Sequence, residues 1–405
     1  MPEASPSTLK RKPVPRGLAR TGPVILSYGF RPFFLAAGIW AVLAMGLWIG
    51  ALILGWPIGG SYGGAYWHAH EMLFGYSTAA LAGFLLTAVP NWTGRLPVSG
   101  TPLAILFLVW LAGRFALMAP DLIGLPLAVA LDIAFLPLLL AICLREIIAG
   151  RKWKDLKVMA AVGALAIANA LFHGVIVWGG DAALANRAAV AAFIMLIGII
   201  GGRVVPSFTR NWLAKRHVIT LPAPYALFDT LTLLGSLAAL GFWVLVPISP
   251  ATFVLAVIAG GLNAWRLQRW RGWLTGAEPL VLVLHVAYGF VPLGLFSVAL
   301  AALQWLDPMA ALHVLTVGGI GTMTLAIMSR ATRGHTGVPL TASPLTAASY
   351  ICVVLAALVR LAVGPLPDFG TELLAAAGTL WMLAFALYTL EHAPLLLTRR
   401  RDRPE

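Results

Sequence analysis

Two histidines one residue apart, His68 and His70, open a hydrophobic segment that reads WHAHEMLFGYSTAALAGFLLTAVPNWTG. Histidine inside a bilayer is costly unless it has a partner. Because residues i and i+2 of a helix lie roughly 200° apart, the two imidazoles cannot face the same neighbour. The pair therefore indicates a metal or a haem on either side of this helix. Two interfacial histidines in contact with water are the alternative.

Three further histidines fall inside apolar segments. At the helical rise of about 1.5 Å per residue, His173 and His313 reach the same third of the bilayer as the pair. His285 lies deeper, and a hydrogen bond between helices is an equal alternative to metal ligation there. Imidazoles between apolar walls suit haem iron and copper. Calcium or magnesium would need clustered carboxylates, and Asp132 is one of the few inside these segments.

These depths lead to an assignment of ligands. We expect one haem b to be held by His313 and by one of His68 and His70. The other member of the pair serves a second haem or a copper ion, with His173 as a further ligand. His285 is the candidate for a third ligand.

Arg114 lies near the end of an apolar segment, where an arginine needs an anionic partner or a route to the headgroups. A haem propionate and simple snorkelling are equal alternatives for it. The histidines outside the apolar segments favour plainer interpretations. His217 and His392 are expected to be solvated or to face headgroups. His335 belongs to a predicted glycine-flanked turn that could bind a propionate, a quinone carbonyl or nothing.

The composition identifies the class of protein that positions these residues. Hydrophobic residues make up 60% and charged residues 11% of the 405, against about 45–50% and about 25% in soluble domains. The chain is therefore a polytopic membrane protein. Segments long enough to span a bilayer predict twelve helices, at 29–54, 67–90, 102–119, 122–147, 157–179, 184–205, 225–247, 250–266, 279–302, 308–329, 343–364 and 371–397.

The basic residues give the orientation of these spans. If both termini are cytoplasmic, all but three of the 28 Lys and Arg residues lie on the cytoplasmic side, the exceptions being Arg114, Arg187 and Arg360. The positive-inside rule thus supports the even number of spans and both cytoplasmic termini. The net charge of +13 describes this rim and does not indicate nucleic-acid binding. We predict one transmembrane domain over 28–397, with basic cytoplasmic tails at 1–27 and 398–405.

Spans 2, 6 and 10 form a weak internal repeat. Each is rich in glycine, runs in the same direction and ends in a small, polar stretch that contains an arginine. The spacing of four spans predicts three four-helix units around a pseudo-threefold axis, although glycine-rich interfaces are common in membrane bundles.

Two long motifs, WHAHEMLFGY with AGFLLTAVPNWTG and then HVLTVGGIGTMTLAIMSRATRGHTG, resemble the NnrS family of bacterial inner-membrane proteins over nearly the whole chain. The resemblance implies twelve transmembrane helices, bound haem and copper, and a part in nitric oxide metabolism. More distantly, His68 followed by Met72 and Phe74 is similar to the helix of haem-copper oxidases that carries a low-spin haem ligand. This similarity favours His68 for that haem, with His313 opposite. It leaves His70 and His173 as the candidate catalytic pair.

Haem and copper together in a membrane indicate electron-transfer or small-gas chemistry. The resemblance directs that chemistry to nitric oxide, and membrane quinol is the simplest electron donor. We therefore predict a nitric oxide reductase. A protein that only binds nitric oxide and protects against nitrosative stress is the first alternative, and a transporter is the second.

Overall fold

The structure, a computed structural model, describes residues 22–399. It is 82% helical, and no strand occurs among the described residues. Twelve helices are long and apolar enough to cross a membrane, which confirms the predicted number and the all-α class. Most of both predicted tails, at 1–21 and 400–405, lies outside the described residues. In chain order, α1 to α12 are Phe30–Leu54, Gly64–Thr93, Thr101–Met118, Leu125–Ala149, Trp153–Val177, Ala183–Ala214, Leu227–Leu245, Pro250–Arg269, Pro279–Ala302, Pro308–Thr336, Pro344–Ala362 and Pro367–Leu397.

Three helices, α2, α6 and α10, run through the middle of the bundle. In the most apolar 18-residue stretch of each, 89%, 78% and 67% of the residues are buried. The same fraction is 67% in α9 and 33% or 39% in every other spanning helix. The three central helices are those that the internal repeat relates. Their small residues allow close packing: Gly83 lies directly against Phe34, and Gly318 against Phe290.

Each of the three central helices contains a π-helical segment, at Glu71–Tyr76, Ile197–Gly201 and Val314–Gly321. A π-helical turn interrupts the regular hydrogen-bond ladder and occurs often at functional sites. Neighbouring helices bind the carbonyl groups of two of these segments. Trp110 Nε1 donates to the carbonyl of Gly75 at 3.0 Å, and Arg266 Nη1 donates to that of Gly198 at 2.9 Å.

The central helices are longer than their apolar segments predict. They end at Thr93, Ala214 and Thr336, whereas hydropathy ends the spans at 90, 205 and 329. The extra turns are polar, so hydropathy cannot detect them, although backbone hydrogen bonds continue through them. The predicted turn around His335 is therefore wrong: this residue lies in the last turn of α10, and the turn begins at Gly337, where φ is 82°.

An apolar cavity of about 70 Å³ lies between the central helices. Side chains from all three helices line it, among them Ala80, Phe84, Phe193, Ile197, Ile320 and Met323. The cavity has room for a small apolar molecule but not for a porphyrin.

Candidate functional site

The two histidines of the HAH pair face different sides of α2. His70 is fully buried, and its ring centroid lies 4.7 Å from that of His173 on α5. His68 stacks on Trp48 of α1, with ring centroids 4.7 Å apart and ring planes 16° from parallel. The helix therefore separates two sites.

On the first side, His70, Asp132 and His173 form a buried group whose ligand atoms all lie within 4.8 Å of one another. The three residues come from α2, α4 and α5. Asp132 Oδ2 lies 3.2 Å from His70 Nε2 and 2.9 Å from His173 Nε2. Such a group can hold a metal ion.

A second layer of polar side chains fixes this group. Because an ionised carboxylate can only accept hydrogen bonds, the Nδ1–H of His70 donates to Glu71 Oε1 at 3.0 Å. Glu71 Oε2 accepts from Trp40 Nε1 and from Arg114 Nη1, both at 2.7 Å. Arg114 also forms an ion pair with Asp132 Oδ1. One guanidinium thus pairs with both carboxylates, that of Glu71 and that of Asp132.

Asn169 of α5 completes the surroundings of His70. Its Nδ2 donates to Asp132 Oδ2 at 2.9 Å, which directs its Oδ1 toward His70 Nε2 at 3.0 Å. His70 Nε2 consequently faces two acceptor oxygens while Nδ1 donates to Glu71. A neutral imidazole cannot satisfy this arrangement, because its second nitrogen carries a lone pair. A metal ion at Nε2, or an additional proton on Nε2 or on Asp132 Oδ2, resolves the conflict.

The charges around His70 and Asp132 also call for an additional positive charge. Glu71 and Asp132 carry two negative charges and Arg114 carries one positive charge, and all three side chains are buried. With neutral imidazoles one negative charge is left over inside the membrane protein. Uncompensated buried charge is strongly unfavourable, so the site favours a bound cation or one additional proton, on an imidazole or on a carboxylate.

Tyr62 closes the group at the loop before α2. Its hydroxyl lies 3.3 Å from His173 Nδ1. Burial, and secondarily the charge of Glu71, raises the pKa of Tyr62 well above its ordinary value. The hydroxyl therefore stays protonated at neutral pH and fixes the orientation of the His173 ring.

The second side of α2 brings His68 toward His313 of α10. The two side chains lie within electrostatic range of each other and of Arg360. His313 Nδ1 bonds the carbonyl of Met309 at 2.7 Å, which leaves its Nε2 free. His68 Nδ1 is buried without a hydrogen-bond partner.

His285 joins neither site. Its Nε2 lies 2.7 Å from Thr209 Oγ1 of α6, which is the hydrogen bond between helices that the sequence offered as the alternative to ligation. Arg114 has carboxylate partners within the protein, so neither a propionate nor snorkelling is needed to explain it.

The remaining histidines divide between surface and core. His217 is exposed, as expected. The expectation for His392 is wrong. This residue is fully buried in α12, where its ring stacks on Tyr388 with centroids 4.7 Å apart. The apolar helix continues past His392, and tertiary packing covers it.

Sequence reasoning missed Glu71. It follows His70 directly in the HAHEM motif, so a buried carboxylate beside two histidines was the available signal. Carboxylates within the spans are few, as the sequence indicates, but two of them, Glu71 and Asp132, meet at Arg114.

Comparison with known protein families gives one match. The family model described as NnrS protein matches residues 24–400, which is nearly the whole chain. No curated protein is significantly similar in sequence.

Proposed function

Since this chain belongs to the NnrS family, we propose that it reduces nitric oxide to nitrous oxide in the bacterial inner membrane with electrons from quinol. Family membership supports a role in nitric oxide metabolism. The balanced reaction is 2NO + 2H⁺ + 2e⁻ → N₂O + H₂O. The proposal rests on one observation: His68 and His70 face different sides of α2 and so belong to two separate sites.

The residues around His68 and His313 fit a haem. A ligating histidine usually donates its other ring N–H to a carbonyl or carboxylate, and the contact from His313 to Met309 has this form. The Nδ1 of His68 is buried and has no hydrogen-bond partner, so it is available to a bound group. The charge of Arg360 acts on both histidines, so this arginine can balance a propionate. These residues would hold the haem, which supplies one-electron transfer when bound.

The residues around His70 fit a transition-metal ion. Two imidazoles and one carboxylate converge there, and Glu71 orients the His70 ring by accepting a hydrogen bond from its Nδ1. Copper, which the family resemblance implies, accepts imidazole ligands, but in its reduced form, copper(I), it prefers sulfur donors to carboxylate and amide oxygens. We therefore assign no step of the reaction to copper.

The chain itself can hold the protons that the reaction consumes. Asp132 Oδ2 lies within hydrogen-bonding reach of His70, His173 and Asn169 at once. Asn169 and Asp132 thus belong to the site, whereas Tyr288 lies apart, bonded to Asn263 and Arg266. A proton at His70 Nε2 would also neutralise the excess negative charge of the group.

The experiment that tests this proposal is anaerobic turnover. Full-length protein purified in detergent is mixed with a reduced quinol and nitric oxide, and nitrous oxide is measured by gas chromatography. We expect nitrous oxide from the wild type and a large loss in His70→Ala. His217→Ala, at an exposed position, is the control. Spectral changes without nitrous oxide would contradict the reductase and support the binding role.

A further inference from the structure

The geometry points to a non-haem iron(II) ion at His70, His173 and Asp132, in place of the copper that the family resemblance implies. This inference rests on the proposed function only in assuming that the group is a metal centre. It concerns which ion the ligands select, and it stands on the geometry of the side chains.

The ligand set narrows the choice of metal to ions that bind nitrogen and oxygen. Two histidines and one carboxylate on one side of a metal, with open positions opposite, are typical of non-haem iron(II) sites. His70 Nε2, His173 Nε2 and Asp132 Oδ2 supply this set. The Asn169 Oδ1, 3.0 Å from His70 Nε2, adds a hard oxygen and no soft ligand. Copper(I) prefers thiolate or thioether sulfur, and this group of ligands contains no sulfur atom.

The second layer of the site fits a metal as well. His70 presents Nδ1 to a carboxylate, which fixes the tautomer that leaves Nε2 for the ion. His173 presents Nδ1 to the hydroxyl of Tyr62. Both histidines therefore direct the same kind of nitrogen, Nε2, toward Asp132. Two nitrogens from different helices thus lie beside one carboxylate oxygen, as in a ligand set.

The charge of the site fits a divalent ion that binds a reducible gas. Without a cation, Glu71, Asp132 and Arg114 leave one negative charge. A divalent ion changes this to one positive charge, so a ligand that becomes anionic as it accepts electrons is stabilised. Nitric oxide is such a ligand. A zinc ion would satisfy the charge but has no redox chemistry.

A variant and its matched control test whether metal binding depends on this group. Asp132→Asn replaces the carboxylate whose Oδ2 lies beside the Nε2 atoms of both histidines. Asp229→Asn is the control, because Asp229 is also a buried carboxylate paired with an arginine, Arg266 at 2.9 Å, but has no histidine beside it. His173→Gln removes one ligand and leaves both carboxylates paired with Arg114, so it covers the case in which Asp132→Asn does not fold.

The measurement is iron in excess of haem in full-length protein. Total iron, copper and zinc come from mass spectrometry, haem from its pyridine complex, and protein from amino-acid analysis. We expect about one non-haem iron per chain in the wild type and in Asp229→Asn, and at least a tenfold loss in His173→Gln and Asp132→Asn. Reduced wild-type protein treated with nitric oxide should also show the electron paramagnetic resonance signal of high-spin ferrous nitrosyl, which haem nitrosyls lack.

Stoichiometric copper or zinc that disappears in His173→Gln, with no iron beyond haem, would overturn the iron assignment. Nitrous oxide production by such a copper protein would leave the proposed function standing. Conversely, non-haem iron in a protein that makes no nitrous oxide would support the iron site and contradict the reductase. A protein with no metal at this group overturns the inference directly.

Discussion

His70 and His313 occupy equivalent positions in two different helices, since each is the last residue before a π-helical segment. The segment in α2 begins at Glu71, the residue that bonds His70, and that in α10 begins at Val314. The change from α-helical to π-helical period alters which of the residues after each histidine share a face of the helix. It lets α2 bring His70 and Glu71 into one polar group while its glycine-rich continuation packs in the centre of the bundle.

Arg114 is expected to be essential for stability. Replacing it with leucine leaves two buried carboxylates, Glu71 and Asp132, without their counter-ion. Breaking a buried ion pair in this way costs about 3–5 kcal/mol, so Arg114→Leu should unfold at much lower temperature or fail to accumulate. Arg145→Ala is the control, because the Arg145 side chain is 67% exposed and its ion pair is screened. Thermal unfolding in detergent makes the comparison, and equal losses in the two variants would contradict this account.

Gly75 leaves space for the polar group. A Cβ at this position would lie 2.5 Å from Glu71 Oε2 and 2.6 Å from Arg114 Nη1. We expect Gly75→Ala to displace that ion pair and to lower both stability and metal content. Gly241→Ala has no atom within 4 Å of the new Cβ, and alanine is the better helix former. That control should therefore be neutral or slightly stabilising, and a harmless Gly75→Ala would show that the pair tolerates displacement.

His313 should be required for a low-spin haem spectrum. Its free Nε2 and its contact with Met309 fit an axial ligand. In His313→Ala we expect the bis-histidine optical spectrum to disappear or change to a high-spin form while the protein still folds in the membrane. His217→Ala should leave the spectrum unchanged, because His217 is exposed. A low-spin spectrum that persists in His313→Ala would refute the assignment.

The central cavity should bind xenon. Cavities with apolar walls stay dry and take up such atoms, and this one of about 70 Å³ is lined almost wholly by aliphatic and aromatic side chains. Xenon chemical shifts in the purified protein should report binding. Ala80→Phe, within the lining, should abolish it, and Ala65→Phe at an exposed position should not. Equal xenon binding by all three proteins would place the xenon elsewhere.

The fold was largely predictable because apolar length and charge asymmetry each constrain the number of spans. Burial was harder to predict: nothing in the local sequence of His392 distinguishes a core position from a headgroup position, and only tertiary packing does so. The site was partly predictable. The i and i+2 spacing of His68 and His70 implies two faces, but the meeting of Arg114 with Glu71 depends on how α3 crosses the π-helical segment of α2.

The most direct test of this account compares His68→Ala with His70→Ala in purified protein, by haem spectrum and metal content. Because the two side chains face different sites, we predict that His68→Ala loses the low-spin haem and keeps the second metal, while His70→Ala keeps the haem and loses that metal. If both variants lose the same centre, or neither loses any, then α2 does not separate two sites and the account is wrong.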